Sequence, residues 1–443
     1  MTRRLAALGI VLALAFWLTG LGGAGASPRT TALALGVALL AASLAGDLLE
    51  RARLPRLTGY LLFGVVCGPY LLNIITRPMA RDLQLIDSLA VALIALVAGL
   101  EMNVGRLRRS LRAILALGGT TIGVMYVGLL AVLWAAWPWL PIDPSATGLL
   151  RAAQAAGLTT IVVSFSPAAT MAVIAESRAR GPLTEITLAI VIMAEIVLIV
   201  GFTLVLQLLR QAAGGAVDPG VGVPALLAWE LAGSLALGSL LGALFALYLH
   251  HVGREVPIVL LLLCVVLTQL SRAFHTEMLL TALAAGFVVE NLVPPEGDAL
   301  KDAVERGSPP VLVVFFAAAG ASLQMDALAE VGLLAVALAA LRMGLLRAGT
   351  ALGARLPAVP DPPGRLVWMG LVSQAGVVLG LAITMARQFP GWGARLQTVV
   401  VALVAINQFL GPAVFRLALG RAGEAGAADR PGPEVRGPSP TSA

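Results

Sequence analysis

The chain contains 443 residues, of which 59% are hydrophobic and only 12% are charged. Soluble globular proteins contain roughly 25% charged residues, so this composition excludes that class and predicts an all-α polytopic protein embedded in the lipid bilayer. The formal net charge of +6 comes almost wholly from arginine. In a membrane protein this excess indicates loop topology rather than nucleic-acid binding. Two distant cysteines, three histidines without ligand spacing and the lack of a nucleotide-binding glycine motif predict no metal site and no cofactor.

The first 26 residues have the pattern of a signal peptide or of an additional N-terminal helix. Residues 5–21 are apolar, follow two arginines and precede the small residues Ala24-Gly25-Ala26, which favours cleavage after Ala26. The apolar runs that follow predict about thirteen spans within a transmembrane domain at 27–420. The predicted spans are 31–48, 58–76, 87–102, 112–137, 152–176, 183–211, 224–250, 255–271, 276–293, 308–324, 328–352, 364–387 and 394–419.

Arginine-rich loops alternate with loops that contain few basic residues. Since basic loops remain in the cytoplasm, the 31–48 helix is expected to start outside a plasma membrane and the C-terminus to be cytoplasmic. The segment 421–443 is rich in Pro, Gly and Ala, so we expect a disordered tail. The basic loops contain Arg51, Arg53 and Arg56, then Arg106, Arg108, Arg109 and Arg112, then Arg178 and Arg180, and later Lys301, Arg306, Arg355 and Arg365.

Two opposite charges lie inside apolar runs that are long enough to span a bilayer. Glu195 is near the midpoint of 186–206, and Arg342 is inside 331–352. A charge at that depth costs roughly 2.5–3.5 kcal/mol on insertion scales, and such residues usually bind or move something. The sequence therefore predicts that the two side chains meet at mid-membrane. A purely structural ion pair that locks two helices is the alternative.

The chain contains a faint internal repeat. LIALVAGLEMN (93–103) resembles VVFFAAAGASLQMD (313–326), with Gly99 on Gly320, and LLFGVVCGPYLLN (61–73) resembles LAAGFVVENLVP (283–294), with Gly64 on Gly286. The offsets of 221 and 222 residues agree within one residue. They predict two six-helix repeats, 31–211 and 255–419, with 224–250 as a connector. Because each half has an even number of helices, a single connector helix makes the second half enter the membrane from the opposite side. Such inverted repeats occur in many secondary transporters. A shared small-residue bias of packed helices is the alternative.

Corresponding spans in the two halves contain helix-breaking residues at mid-span. The first contains Ser164-Phe165-Ser166-Pro167, where Pro167 lacks the N–H that a continuous helix uses. Its counterpart contains Ser373-Gln374-Ala375-Gly376. Broken helices expose unpaired N–H and C=O groups, which are tolerated only beside protein or a wet cavity. The matched positions favour a binding site over plain proline or glycine kinks.

These motifs together resemble the monovalent cation:proton antiporter family, the sodium/hydrogen exchanger domain that Kef-type potassium efflux systems share. The resemblance covers roughly 31–419. It implies a thirteen-helix fold with a dimerisation domain, hence a homodimer, and a mobile core in which two discontinuous helices cross beside an acidic residue. That residue would bind a monovalent cation and a proton alternately. The matching segments are LPRLTGYLLFGVVCGP (54–69), ALVAGLEMN (95–103), SFSPAATMAVIAES (164–177), FFAAAGASL (315–323) and SQAGVVLGLA (373–382).

Residue by residue, Glu195 falls at the second position of the family's acidic pair, while Ala194 replaces the first acid. Arg342 falls near a position where many members have a Lys or Arg that pairs with the acidic site. Val377 stands where Kef-type members often have Glu. A single carboxylate implies one Na⁺ or K⁺ exchanged for one proton, which is electroneutral. The departures also leave open a non-transporting sensor or scaffold.

Several polar residues at the predicted depth of Glu195 could supply oxygen ligands to a hard cation. The hydroxyls of Ser166 and Thr170 are the first candidates, and Gln374 and Asn407 are further ones. Glu277 lies near a predicted helix end, where a carboxylate favours the N-terminal dipole or contacts water. No paired His and carboxylate, Ser-Lys or Asp-Asp arrangement at a common depth supports an intramembrane enzyme.

Overall fold

The structure, a computed structural model, describes residues 28–51, 55–76, 84–100, 102–212, 222–253, 255–293, 300, 310–323, 325–356, 359, 361, 363–374 and 376–427. Within these ranges the regular secondary structure is helical. The predicted signal segment 1–26 lies outside them. The helices are α1 (Pro28–Arg51), α2 (Arg56–Cys67), α3 (Gln84–Leu100), α4 (Val104–Ala136), α5 (Gly148–Val163), α6 (Pro167–Ser177), α7 (Pro182–Ala212), α8 (Gly222–His251), α9 (Val256–Phe274), α10 (Met278–Leu292), α11 (Pro310–Ala321), α12 (Met325–Gly353), α13 (Pro363–Gly370), α14 (Gly376–Gln388) and α15 (Gly393–Ala422).

Helix length and composition are those of a multi-pass membrane protein. Seven helical segments in the described ranges are long and apolar enough to cross a bilayer, and four shorter apolar helices accompany them. Each predicted span overlaps a described helix, although 58–76 is helical only to Cys67. That helix ends there because Pro69 lacks the N–H needed to continue it. The total of thirteen spans stays a prediction.

Two of the predicted spans are interrupted at mid-length. α5 ends at Val163 and α6 begins at Pro167, with extended backbone at Ser164 and at Ser166. Ser166 caps α6, since its Oγ accepts the N–H of Ala169 at 3.1 Å. In the second half, α13 ends at Gly370 and α14 begins at Gly376. The two breaks therefore occupy the positions that the sequence repeat relates to each other.

The glycines that define the sequence repeat form two equivalent helix crossings. Gly64 of α2 faces α11 at Gly320, and Gly99 of α3 faces α10 at Gly286. At each of the four positions, an added Cβ would overlap a backbone carbonyl of the partner helix. Exchange of the two halves converts one crossing into the other, because Gly64 corresponds to Gly286 and Gly99 to Gly320. This equivalence supports a repeat rather than a shared bias toward small residues.

The start of the segment 421–443, which is predicted to be disordered, is ordered as far as Ala427, while 428–443 lie outside the described residues. Helix α15 continues to Ala422, and a turn follows as far as Ala427. The carboxylate of Glu424 is buried and accepts the N–H groups of Leu183 and Thr184 at 2.7 and 2.8 Å. Because helix N-termini have unpaired N–H groups, Glu424 caps α7 and thereby orders this segment.

Candidate functional site

The two broken helices meet at their interruptions. The N–H of Ser166, in the first break, donates to the carbonyl oxygen of Ser373, in the second, at 3.0 Å. The Thr170 hydroxyl of α6 donates to the carbonyl oxygen of Gly370 at the end of α13, at 3.4 Å. Ser164, Ser166, Thr170 and Ser373 are all buried. The four half-helices thus meet in the protein interior, where polar backbone groups need protein partners.

Arg342 of α12 joins the two breaks through their carbonyl groups. Its side chain is fully buried and donates to Val162 and Ser164 in the first half, at 3.0 and 2.7 Å. It also donates to Val372 and Leu371 in the second half, at 2.7 and 3.1 Å. These carbonyls lie at or within two residues of the C-terminal ends of α5 and α13. A guanidinium matches them because it carries five donors in a fixed fork and a permanent positive charge.

The predicted ion pair between Arg342 and Glu195 is therefore wrong. Both residues are described, and no hydrogen bond or salt bridge joins them. Carbonyl oxygens at the helix breaks satisfy the guanidinium instead. Within the described residues, the Oε1 atom of Glu195 is buried and has no hydrogen-bond partner. The two intramembrane charges thus have different environments, since Arg342 donates to four carbonyl oxygens and Glu195 has an oxygen without a partner among the described residues.

Gln374 and Asn407 extend the network at the crossing. The Gln374 side-chain amide donates to the carbonyl of Val162 at 3.0 Å and to that of Ser164 at 3.3 Å. Its own carbonyl accepts the amide of Asn407, from α15, at 2.7 Å. Both side chains are completely buried. Their amide nitrogens serve structural hydrogen bonds here, while the Oδ1 atom of Asn407 has no partner within the described residues.

Glu195 lines a small cavity of about 390 Å³, counted with its mouth. Pro167 and Met171, from the start of α6, line the same cavity, so the carboxylate lies beside the first helix break. Glu277 and residues of the first turns of α10 line the same cavity. The predicted ligands Ser166 and Thr170 are not among the lining residues, and their hydroxyls make the hydrogen bonds given above. The structure therefore separates the crossing network from the cavity with the carboxylate.

Glu277 is the residue that sequence reasoning undervalued. It is the N-cap of α10, as its place near a helix end suggested, but it also faces the cavity of Glu195. Helix α10 has only 15 residues, or about 22 Å, and cannot span the roughly 30 Å hydrocarbon core. A signal was available in the sequence, since an acidic residue that directly precedes a short apolar run can be buried with the helix start.

The fold and this site define a membrane transporter with crossed discontinuous helices. A family model described as the transmembrane sodium/hydrogen exchanger matches residues 33–418. The chain belongs to the sodium/hydrogen exchanger family. The fold is also similar to that of the sodium proton antiporter MjNhaP1 from Methanocaldococcus jannaschii at pH 8, with a TM-score of 0.62 and 17% identity over 89% of this chain and 96% of that chain. No curated protein matches the chain.

Proposed function

We propose that the protein is a secondary antiporter that exchanges a monovalent cation, Na⁺ or K⁺, for H⁺ across the membrane. Glu195 is the shared site that binds either the proton or the cation. The observation that supports this role is its buried, unpartnered Oε1 atom in a cavity beside a helix break. Membership of the sodium/hydrogen exchanger family and the fold shared with a sodium proton antiporter support the same proposal.

The chemistry follows from the cost of an isolated charge in an apolar cavity. A deprotonated Glu195 requires a compensating positive charge, because desolvation of an unpaired carboxylate is unfavourable. Either a proton or a dehydrated cation meets that need, and the two compete for the same oxygen atoms. One carboxylate that holds one ion at a time exchanges one cation for one proton, so the exchange is electroneutral.

The hydrogen bonds between the two helix breaks hold this site in a fixed arrangement. Arg342 and Gln374 bond the ends of the broken helices to each other, so the helices and Glu195 can move as one unit during alternating access. We further propose that the protein works as a homodimer in the plasma membrane with a cytoplasmic C-terminus. The alternation of basic loops supports this orientation.

Reconstituted liposomes provide the direct test. Purified protein is incorporated with a trapped pH-sensitive dye, and Na⁺, K⁺ or Li⁺ is added outside at about pH 6 to 9, the range in which a tuned site titrates. We expect cation-dependent proton flux in the wild type and none in Glu195→Gln. Glu290→Gln is the matched control, since it changes another buried carboxylate, on α10, that does not line the cavity.

The membrane potential tests the stoichiometry. Electroneutral exchange proceeds at the same rate with the potential clamped or left free, whereas unequal charge movement makes the two rates differ. Equal flux in Glu195→Gln and wild type would remove Glu195 from the mechanism. A wild-type protein that moves no proton with any of the three cations would contradict antiport and favour the sensor or scaffold alternative.

A further inference from the structure

We propose that Glu277 is a second cation ligand at this site and contributes to cation affinity. This inference rests on the proposed function, because it assigns a partner to the cation held by Glu195. Glu277 is the N-cap of α10, and it lines the cavity together with Glu195 of α7 and with Pro167 and Met171 of α6. Glu195 and Glu277 would thus hold the cation from two different helices.

The composition of the cavity wall supports this assignment. Among the side chains that the structure describes, nine line the cavity, and seven of these contain no oxygen or nitrogen. The two with side-chain oxygen atoms in that set are Glu195 and Glu277. Hard monovalent cations bind oxygen ligands, and the predicted hydroxyl ligands do not line this cavity. Among the described lining residues, therefore, Glu277 is the side chain that can share the cation with Glu195.

Glu277 is held in position by the start of α10. Its carboxylate accepts the N–H groups of Leu279 and Leu280 at 3.1 and 2.5 Å, and its own N–H donates to the Ser234 hydroxyl at 2.8 Å. Two N–H donors and the positive end of a helix dipole stabilise a negative charge at this place. A carboxylate has about four lone-pair positions, so one side chain can cap a helix and also contact a cation.

Two carboxylates in one apolar cavity favour cation binding. Negative charges that share a poorly solvated space repel each other, and a cation between them replaces that repulsion with two attractions. Glu277 keeps its negative charge through the cycle while Glu195 alternates between proton and cation. The total charge of the occupied site is then the same in both forms, so the second carboxylate leaves one-for-one exchange intact.

The two carboxylates belong to different helices, which links binding to conformation. Glu195 is on α7 beside the broken helix, and Glu277 is fixed to α10 and α8 through Leu280 and Ser234. Any displacement of α6 and α7 relative to α10 changes the separation of the two side chains. The second ligand is therefore available in the arrangement described here and is lost when the helices move apart.

The test compares Glu277→Gln with Glu290→Gln in the liposome assay. Glutamine keeps an oxygen that can cap α10 but removes the charge. We expect the half-saturating cation concentration to rise about tenfold in Glu277→Gln, which corresponds to about 1.4 kcal/mol, with the maximal rate and stoichiometry retained. Glu290→Gln should retain the wild-type value. Wild-type half-saturation in Glu277→Gln would overturn the proposal.

A binding measurement on purified protein separates affinity from transport. Na⁺, K⁺ and Li⁺ are titrated while the unfolding temperature is recorded, and the concentration of half-maximal stabilisation should shift in Glu277→Gln as it does in the flux assay. If Glu277→Gln fails to fold, Glu277→Asp replaces it in the test. Aspartate keeps a carboxylate that can cap α10, but its shorter side chain holds that carboxylate further from the cavity. We expect added cations to stabilise Glu277→Asp less than the wild type, and equal stabilisation would contradict the proposal.

The outcomes distinguish this inference from the proposed function. If the wild type exchanges cations and Glu195→Gln does not, but Glu277→Gln behaves as wild type, only the role of Glu277 fails. If the wild type shows neither flux nor cation-dependent stabilisation, the proposed function fails, and the inference that rests on it fails as well. Weaker cation stabilisation in Glu277→Gln, with the Glu290→Gln control unchanged, supports the assignment.

Discussion

The guanidinium of Arg342 donates to the carbonyl oxygen of Ser164 in one broken helix and lies 5.7 Å above the ring of Phe165 in the same break. The same group donates to Val372 in the other broken helix. Helix C-termini have unpaired carbonyls and a partial negative charge. One cation thus stabilises two helix ends, and none of its hydrogen bonds goes to Glu195.

Replacement of Arg342 should destabilise the protein strongly. In Arg342→Ala four buried carbonyl oxygens lose a charged donor, and hydrogen bonds to charged groups contribute about 1.5–3 kcal/mol each. We expect an apparent unfolding temperature lower by more than about 5 °C. Arg342→Lys should also be destabilised, since a single ammonium cannot reproduce the fork that spans both breaks. Thermal unfolding of the detergent-solubilised protein measures both effects.

Arg347→Ala provides the control for this prediction. Arg347 is exposed on the same helix, five residues further on, and its removal should leave stability nearly unchanged. If Arg342→Ala and Arg347→Ala unfolded at the same temperature, the contact between the two broken helices would not depend on the guanidinium of Arg342.

Sequence reasoning identified the helix breaks but misassigned the partner of Arg342. Pro167 and Gly376 predict the breaks because each acts on its own backbone: proline lacks the N–H of a helical hydrogen bond, and glycine disfavours a helix interior. The acceptors of Arg342 are main-chain carbonyls, which every residue possesses, so no residue type reveals them. A charge-pair rule therefore points to the opposite charge at the same predicted depth, Glu195. Only the spatial arrangement of the breaks shows that backbone groups satisfy the guanidinium.

The repeat was predictable and the cavity was not. Gly64 and Gly286 can be matched in the sequence because the close helix contact at each position leaves no room for a larger residue. Both halves of a repeated fold therefore have glycine at the equivalent position. Whether Glu195 and Glu277 line the same cavity depends instead on where the short helix α10 begins relative to α7. A search for apolar runs gives approximate helix ends but no relative depth, so it predicts Glu277 at a helix start or near water and not in a shared cavity.

Alanine at the repeat glycines should disrupt helix packing in both halves alike. In Gly286→Ala the new Cβ would overlap the backbone of α3, and in Gly64→Ala it would overlap the backbone of α11. Backbone atoms cannot move aside as flexible side chains can, so we expect both variants to lose most folded protein. Size-exclusion chromatography of a fluorescent fusion measures the folded fraction after solubilisation.

Gly344→Ala is the matched control, because among the described residues no atom outside the adjacent backbone of α12 lies within 4 Å of the Cβ that it would introduce. This change should be neutral or stabilising, since alanine favours a helix over glycine by up to about 1 kcal/mol. Normal folding of Gly64→Ala together with loss of Gly286→Ala would contradict the equivalence of the two crossings.

Removal of Glu424 should loosen the start of the helix that contains Glu195. The carboxylate accepts two backbone N–H groups of α7 and the Thr184 hydroxyl, the last at 2.7 Å. Loss of a helix cap costs about 0.5–2 kcal/mol, so a chain that ends at Gly423 should unfold at a lower temperature. Hydrogen exchange at Leu183 and Thr184 should also be faster.

A chain that ends at Ala427 is the control for the tail, because it keeps Glu424 and its bonds. We expect it to match the full-length protein in unfolding temperature and in exchange at α7. Glu424→Gln should be intermediate, since it keeps an oxygen acceptor without the charge. Equal stability of the two truncated chains would show that the cap contributes nothing.

Glu176 should hold the end of α6 against the start of α2. Its carboxylate accepts the N–H groups of Arg56 and Leu57 at 2.6 and 3.3 Å and lies 3.4 Å from the guanidinium of Arg416. Glu176→Ala removes a cap and an ion pair together, so we expect faster hydrogen exchange at the first turn of α2 and a lower unfolding temperature. Glu50→Ala removes a partner only from the exposed side chain of Arg56, and surface pairs contribute about 0–1 kcal/mol. The first turn of α2 should therefore exchange normally in Glu50→Ala, and equal exchange rates in the two variants would show that Glu176 does not anchor α2.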